Sequence, residues 1–180
     1  IKDSAQPSIL LLRAVLDSDP VVSKDLEVVI YNMKYDFGLS TEKILPGYTK
    51  VTPNTLYSEN TGFGIDPNTP VSGKVVDGRE LTGDYIYADQ YFRFKQQLPP
   101  GNYRVKLTFA DVEPNNLSVG VENAPTQRFR SNEYYDNRIM KGIVSFSHDK
   151  PAELVFDVAV VDGVLDIDFM GNLVNVTQYK

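Results

Sequence analysis

Cysteine and tryptophan are absent from this chain of 180 residues, and histidine occurs once, at His148. The absence of cysteine excludes a disulfide framework, a thiolate metal site and a cysteine nucleophile. A zinc site that needs several histidines is excluded as well, and a serine–histidine–aspartate triad would have to include His148. The side chains on which many hydrolases and metalloenzymes depend are therefore missing or reduced to one residue.

Two further deficits restrict the possible partners. The apolar run Ile9–Leu12 is far shorter than the roughly 20 residues that a membrane-spanning helix needs. Positive charge is also in deficit, because 18 Lys and Arg residues stand against 24 Asp and Glu residues, for a net charge of −6. An acidic chain without a basic stripe is a poor partner for nucleic acid or for an anionic membrane surface. We therefore expect no nucleic acid and no membrane among the partners.

What the chain does contain is a succession of short alternating segments separated by turn-forming residues. Hydrophobic residues make up 42% of the chain, and 12 Gly and 11 Pro are spread along it. Every second residue of Tyr103–Phe109 is apolar, which is typical of a half-buried strand. Val155–Val161 is more continuously apolar and predicts a strand covered on both faces. We predict an all-β, two-sheet antiparallel sandwich, with further strands in Tyr91–Lys95, Leu117–Val121, Ile143–Ser147, Leu165–Phe169 and Val174–Val176.

The first 30 residues differ from the rest. Ile9–Ala14 and Leu26–Ile30 predict two strands, which form either an N-terminal hairpin or the end of a preceding domain. Residues 31–180 are predicted to form the sandwich module. Leu98–Asn102 and Asp162-Gly163 are turn signals within it, because Pro fixes φ and Gly accepts a positive φ.

The sequence offers little support for a serine hydrolase. Ser145, Ser147 and His148 are close in sequence, but alternation along a strand places Ser147 and His148 on opposite faces. The Gly-x-Ser-x-Gly motif of a nucleophile elbow is absent. We interpret His148 as a solvated turn residue.

Two pairs of carboxylates could serve glycoside hydrolysis, which uses an acid and a nucleophile or base. Asp166 and Asp168 share one face of a predicted strand, and Asp84 and Asp89 flank a short apolar segment. We interpret them as acidic residues on the solvent face of strands, and a stand-alone hydrolase is the weakest hypothesis. No cofactor is predicted, although a structural calcium ion is an open alternative because loop carboxylates and carbonyls are plentiful.

One segment combines positive charge with aromatic rings. Between residues 128 and 141 the chain carries three arginines, a lysine and a tyrosine doublet. Aromatic rings can stack on sugar rings, and the planar guanidinium group matches a carboxylate, so the segment suits an acidic sugar. The alternative is a hairpin that caps the edge of the sandwich. The candidate carbohydrate-binding residues are Arg128, Arg130, Asn132, Tyr134, Tyr135 and, in a separate loop, Tyr57, for which the favoured alternative is a structural role as an anchor of that loop on the core.

The order of several short motifs resembles a known family. The chain is similar to the β-sandwich accessory modules of secreted bacterial pectin-degrading enzymes, as in rhamnogalacturonan acetylesterases, and to the malectin-like, galactose-binding-like modules of glycoside hydrolases. The resemblance covers residues 33–180. The motifs that carry it are Asp36-Phe37-Gly38, Pro46–Val51, Tyr57, Gly62-Phe63-Gly64, Phe92-Arg93-Phe94, Leu98–Val105, Val119–Glu122 with Arg128, and Asp162–Gly171.

The resemblance implies a jelly-roll β-sandwich, a secreted or cell-surface bacterial parent enzyme and a carbohydrate-related role. It implies no esterase activity for this chain, because the Gly-Asp-Ser and Asp-x-x-His motifs of those esterases are absent. We predict a non-catalytic carbohydrate-binding module of a glycoside hydrolase or carbohydrate esterase, with an acidic plant or algal polysaccharide as a candidate ligand. The alternative is a structural accessory domain that packs on the catalytic domain of the same parent chain through Tyr134 and Tyr135.

Overall fold

The computed structural model describes residues 8–16, 19–39, 44–75, 83–89, 91–109, 115–122, 139–146, 151–171, 174–176 and 178–179. The regular structure in these ranges is all β-strand, so they hold no helix of the length and hydrophobicity that crossing a membrane requires. The chain divides into two compact units, Ile1–Met33 and Lys34–Lys180.

The first unit contains an antiparallel hairpin. Strand β1 (Ser8–Leu16) pairs with β2 (Asp19–Ile30), with Ser8 opposite Ile30. The register shifts after Val15, where the pairing becomes irregular. The predicted segments Ile9–Ala14 and Leu26–Ile30 lie within these two strands, and whether the hairpin is an N-terminal addition or the end of a preceding domain stays open.

Among its described residues, the second unit contains thirteen strands in three sheets. The strands are β3 (Tyr35–Phe37), β4 (Thr49–Val51), β5 (Phe63–Ile65), β6 (Ser72–Val75), β7 (Asp84–Ala88), β8 (Tyr91–Gln97), β9 (Gly101–Phe109), β10 (Asn115–Val121), β11 (Ile139–Phe146), β12 (Ala152–Val160), β13 (Val164–Gly171), β14 (Val174–Val176) and β15 (Gln178–Tyr179). We call the five-stranded sheet with the order β11-β10-β13-β8-β5 the β8 sheet, and the five-stranded sheet with the order β12-β9-β15-β3-β4 the β9 sheet; the third has the order β14-β7-β6.

Most neighbouring strands are antiparallel, and β3 with β4 is a parallel pair. Strand β15 pairs with β3 on one side and with β9 on the other, so the last strand of the chain joins β3 and β4 to the rest of the β9 sheet.

The β8 and β9 sheets face each other across an aromatic core. Phe94 of β8 lies 5.1 Å from Phe37 and 5.2 Å from Tyr35 of β3, measured between ring centroids. Farther along, Phe109 of β9 meets Phe169 of β13 at 6.3 Å. Because side chains alternate along each strand, these residues line the inner faces while their neighbours point away from the core. The predicted all-β, antiparallel sandwich is confirmed, the third and smaller sheet is an addition to the two predicted ones, and the jelly-roll connectivity stays a prediction.

Both predicted turns cross between the two sheets. The turn after Leu98 connects β8 to β9, and the turn containing Asp162 and Gly163 connects β12 to β13. The amide of Leu98 donates a hydrogen bond of 2.9 Å to the carbonyl of Gly163, so the two crossings are tied together. The positions of both turns were predictable from their Pro and Gly residues. That each turn connects one sheet to the other was not predictable, because it depends on which strands pair.

Three interpretations of the predicted strands are wrong. Strand β12 is an edge strand, and Val155 on its outer face is 53% exposed, so the strand is not covered on both faces. Asp168 and Asp84 are buried at 0% and 5% exposure, so they do not lie on solvent faces. His148 and Ser147 are outside the described residues, and their interpretation stays a prediction.

The charged side chains of Asp36, Lys50 and Asp84 are buried together between β3, β4 and β7. The ammonium group of Lys50 lies 2.9 Å from Asp84 and 3.3 Å from Asp36, and each of the three side chains is at most 7% exposed. Asp84 also accepts the backbone N–H of Leu39. A Cβ atom at Gly38 would lie 1.9 Å from the Asp84 carboxylate, so a larger residue there would displace this carboxylate from its partners. The motif Asp36-Phe37-Gly38 thus has a structural role.

One cation between two carboxylates leaves an excess negative charge in this buried site. Burial raises the pKa of Asp36 to about 6, and the Asp84 charge adds to the rise, although Lys50 opposes it. Between a pH of about 4 and about 6, the folded chain retains a proton on Asp36 that the unfolded chain has released. The free energy of unfolding therefore falls as the pH rises through this range.

We expect the Asp36→Asn variant to lack this part of the pH dependence, because the amide has no proton to release. As the pH rises from about 4 to about 7, the stability of the variant relative to the parent chain should increase by about 3 kcal/mol. Urea denaturation at a series of pH values measures the difference. Asp157→Asn, at an exposed position, is the control; equal slopes for the parent and Asp36→Asn would contradict the prediction.

Candidate functional site

The outer face of the β8 sheet carries charges in a regular arrangement. Arg93 and Lys95 of β8 lie directly opposite Asp168 and Asp166 of β13, because the antiparallel register places alternate residues of both strands on the same face. We call the set formed by Tyr57, Asp66, Arg93, Lys95, Glu122, Asp166 and Asp168 the charged face.

Arg93 bridges the two aspartates of β13. Its Nε and Nη2 atoms lie 2.9 and 3.4 Å from the two carboxylate oxygens of Asp168, and Nη1 lies 3.1 Å from Asp166. The hydroxyl of Tyr91 donates a further hydrogen bond of 2.7 Å to Asp168. Burial works against the charge of Arg93, but Asp168, through its charge and hydrogen bonds, outweighs this and raises the pKa of Arg93. Every guanidinium nitrogen therefore already contacts a carboxylate.

Lys95 occupies the next position toward the end of the strand. Its ammonium group lies 3.4 Å from Asp166 and 4.0 Å from Asp66, and 5.5 Å from the centre of the Tyr57 ring. At that distance the cation is attracted to the face of the aromatic ring. Lys95 therefore holds two carboxylates and one tyrosine in the same neighbourhood.

Tyr57 reaches this position because the chain before it crosses over Gly64 of β5. Hydrogen bonds of 2.8 and 2.9 Å join the amide of Ile65 to Thr55 and the amide of Tyr57 to Ile65. A Cβ atom at Gly64 would lie 2.5 Å from the Tyr57 nitrogen, and Gly64 has a φ of 144°. A side chain at this position would displace the segment that carries Tyr57.

Glu122, directly after β10, closes the other side of the charged face. Its amide donates a 3.1 Å hydrogen bond to the carbonyl of Asp166, and its carboxylate accepts one of 3.3 Å from the amide of Asp166. Glu122 has a φ of 51°, in the left-handed region that non-glycine residues seldom adopt. Burial raises the pKa of Glu122 to about 7, and the charges of Asp162 and Asp166 add to the rise. Near neutral pH this side chain can therefore either donate or accept a hydrogen bond.

Asp166 has an oxygen that is only partly satisfied. Its Oδ1 atom is buried and accepts no hydrogen bond of acceptable geometry within the described part of the chain, although Lys95 lies 3.4 Å away. Burial raises the pKa of Asp166 in spite of Arg93 and Lys95. A buried acceptor whose hydrogen bonding is incomplete is unfavourable, so this atom would gain from a hydroxyl donor.

The arrangement is suited to binding polar molecules and poorly suited to acid–base chemistry by the Asp166 and Asp168 pair. Both carboxylates are committed to Arg93, and Asp168 is fully buried. Within the described ranges, no group of three or more histidine, aspartate or glutamate side chains could hold a metal ion.

The structure places one of the predicted site residues. Tyr57 belongs to the charged face, while Arg128, Arg130, Asn132, Tyr134 and Tyr135 lie outside the described residues. Sequence reasoning did not assign Arg93, Lys95, Asp66 or Glu122 to a site. The alternation of cations in β8 and of aspartates in β13 was visible, but the pairing of these distant strands was not.

No family model matches the chain. Over 143 residues the chain is 30% identical to a protein described as beta-agarase A from Zobellia galactanivorans. The matched region covers 77% of the chain and 24% of the agarase, so the chain spans about a quarter of the length of this curated relative.

Two solved structures share the fold. Protein YXIM from Bacillus subtilis superimposes with a TM-score of 0.61 at 20% identity, over 82% of this chain and 38% of that protein. Beta-glucuronidase 2 from Bacteroides uniformis, covalently bound to cyclophellitol-6-carboxylate aziridine, gives a TM-score of 0.51 at 10% identity, over 100% of this chain and 23% of that protein. At these identities the similarity concerns the fold alone.

We expect the Arg93→Met variant to be destabilised by about 3–5 kcal/mol, because Met fills the space of the side-chain stem but leaves Asp166 and Asp168 without their cation. Arg104→Met is the matched control, since Arg104 makes the same bidentate contact with Asp157 at exposed positions. Its stability should change little. Equal losses in urea denaturation would show that burial of the ion pair is not what makes Arg93 important.

Proposed function

We propose that this chain is a non-catalytic carbohydrate-binding module of a polysaccharide-degrading enzyme. The observation that carries the proposal is the 30% identity to part of an agarase, over 77% of the chain but only 24% of the relative. A match of this extent is what a module within a larger enzyme produces. The β-sandwich of the second unit and the polar groups on its outer face support the same function.

The geometry also disfavours the hydrolase hypothesis. Asp166 and Asp168 hold Arg93, and Asp84 holds Lys50 and the amide of Leu39, so these carboxylates have structural partners. A general acid and a nucleophile must instead reach the substrate. In our proposal the catalytic step is performed by another domain of the parent enzyme, a glycoside hydrolase or carbohydrate esterase.

The proposal extends to location and ligand. We place the parent enzyme outside the cell or on the surface of a bacterium, because intact polysaccharides are met there. The name of the agarase relative favours a galactan, whereas the segment with Arg128, Arg130, Asn132, Tyr134 and Tyr135 would favour an acidic, pectin-like polymer. These two ligand classes differ in charge and can be separated by experiment.

We expect the purified chain to be retarded in native affinity gels that contain one class of polymer. Agarose, galactan, xylan and polygalacturonate are compared, each with and without calcium, because a structural calcium ion would make retardation depend on it. The Arg128→Ala/Tyr135→Ala variant is run beside the parent chain. Retardation by polygalacturonate that this variant loses would support the acidic ligand and the loop.

Absence of retardation in every gel would contradict the proposal. It would instead favour the structural accessory domain, in which the module packs on the catalytic domain of its parent. A bovine serum albumin lane controls for the sieving effect of each polymer.

A further inference from the structure

The solvent exposure of the side chains on the charged face increases along the strands, from Asp168 toward Lys95. The side chain of Asp168 is 0% exposed, Arg93 11%, Asp166 15% and Lys95 22%. Asp168 and Arg93 therefore form the floor, and Lys95 marks the accessible rim, where Tyr57, Asp66 and Glu122 are also partly exposed. A ligand could reach the rim without disturbing the buried ion pairs.

Resting on the proposed function, we propose that the rim of the charged face is a carbohydrate-binding site, and that it takes a neutral, hydroxyl-rich sugar chain and discriminates against uronates. The site consists of Tyr57, Asp66, Lys95, Glu122 and Asp166, supported from below by Arg93. This ligand class differs from the acidic polymer that the arginine-rich segment predicts.

Both cations of the charged face already contact aspartates, which argues against an acidic ligand. A sugar carboxylate is recognised by a guanidinium that can offer it two N–H groups. All three nitrogens of Arg93 already contact Asp166 or Asp168, and Lys95 lies between Asp66 and Asp166. A uronate would have to displace a buried aspartate from its cation, which would leave that aspartate unpaired.

The net negative charge of the site also disfavours an acidic ligand. Two cations face three aspartates, before Glu122 is considered. An added anion would therefore meet net negative charge at close range, where partial burial weakens solvent screening. A neutral sugar meets no such repulsion.

The acceptors of the rim match the donors of a sugar. Asp166 offers a buried oxygen without a well-directed hydrogen bond from the described residues, and a hydroxyl group could supply it. Glu122 stands beside it, and its raised pKa, about 7, allows it to accept from one hydroxyl or donate to another. Tyr57 adds an aromatic ring next to these polar groups, a combination that suits a sugar ring with its apolar and polar surfaces.

The backbone at Glu122 provides a second, independent indication. A non-glycine residue at a φ of 51° is less stable than glycine would be in the same conformation. Strained residues of this kind are concentrated at functional sites. The hydrogen bond from the Asp166 amide to the Glu122 carboxylate offsets part of this strain, and a ligand contact by the same carboxylate would offset more.

The test compares neutral agarose oligosaccharides with oligogalacturonates of equal length, by isothermal titration calorimetry on the complete chain. We expect the parent chain to prefer the neutral series. Tyr57→Ala, Lys95→Met and Glu122→Gly should each weaken its binding about tenfold or more, as expected for the loss of a hydrogen bond to a charged group or of a stacking surface. Glu122→Gly should unfold at a temperature similar to that of the parent chain, because relief of strain offsets the lost hydrogen bond to Asp166.

Glu122→Gln keeps the size and the hydrogen-bonding capacity of the side chain and is the conservative companion, should Glu122→Gly fail to fold. It should retain more of the affinity than Glu122→Gly. Arg104→Met, on the outer face of the β9 sheet, is the control and should bind like the parent chain.

Three outcomes overturn the inference while the proposed function stands. They are unchanged neutral-sugar binding in the rim variants, preference for oligogalacturonate in the parent chain, and loss of binding only in Arg128→Ala/Tyr135→Ala. Stabilisation of the parent chain by calcium alone, abolished in Asp166→Asn, would identify the rim as a cation site and overturn it too. If the parent chain binds neither the oligosaccharides nor any polymer, the proposed function fails as well.

Discussion

The burial of Asp168 depends on the guanidinium group of Arg93, which contacts both of its oxygens and reaches Asp166 with its remaining nitrogen. A carboxylate inside a folded protein is strongly unfavourable unless a cation and hydrogen bonds replace water. Strand β13 can therefore place an aspartate at a fully buried position only because β8 places an arginine opposite it. This pair is in register across β13 and β8, two adjacent inner strands of the β8 sheet, and the same register places Lys95 opposite Asp166 at the rim.

The same combination of one cation with two carboxylates occurs around Lys50, but its surroundings differ. Asp36, Lys50 and Asp84 are enclosed, so the excess negative charge can be relieved only by a proton, and the pKa of Asp36 rises accordingly. The Arg93 cluster opens toward Lys95 and Glu122, so a hydroxyl group from outside could provide the missing hydrogen bond. The same combination of charges thus makes stability depend on pH at the enclosed site, and in our proposal it leaves an acceptor for a ligand at the open one.

The strands and turns of the second half were predictable because period-2 alternation and the Pro and Gly signals are local properties of the sequence. The burial of Asp168 was not, because the solvent face of an alternating strand cannot be distinguished from a covered outer face without knowing its neighbour. Arg93 and Asp168 are 75 positions apart, and nothing local indicates that they pair. Tyr57 was singled out as an aromatic residue in a loop, but its contact with Lys95 depends on the close approach that Gly64 allows. Arg128, Arg130, Asn132, Tyr134 and Tyr135 remain predictions from composition alone.

Strand β15 lies between β9 and β3, although it is the last described strand and β3 the first described strand of this unit. During synthesis, β3 and β4 are made long before β15, so they cannot join the β9 sheet until Gln178 and Tyr179 have been made. Loop closure over such a separation makes the contact order high, and high contact order slows folding. Nascent chains of this module should therefore expose the edges of β3 and β9 until β15 has emerged from the ribosome, and they should depend on chaperones more than a sandwich closed by local hairpins would.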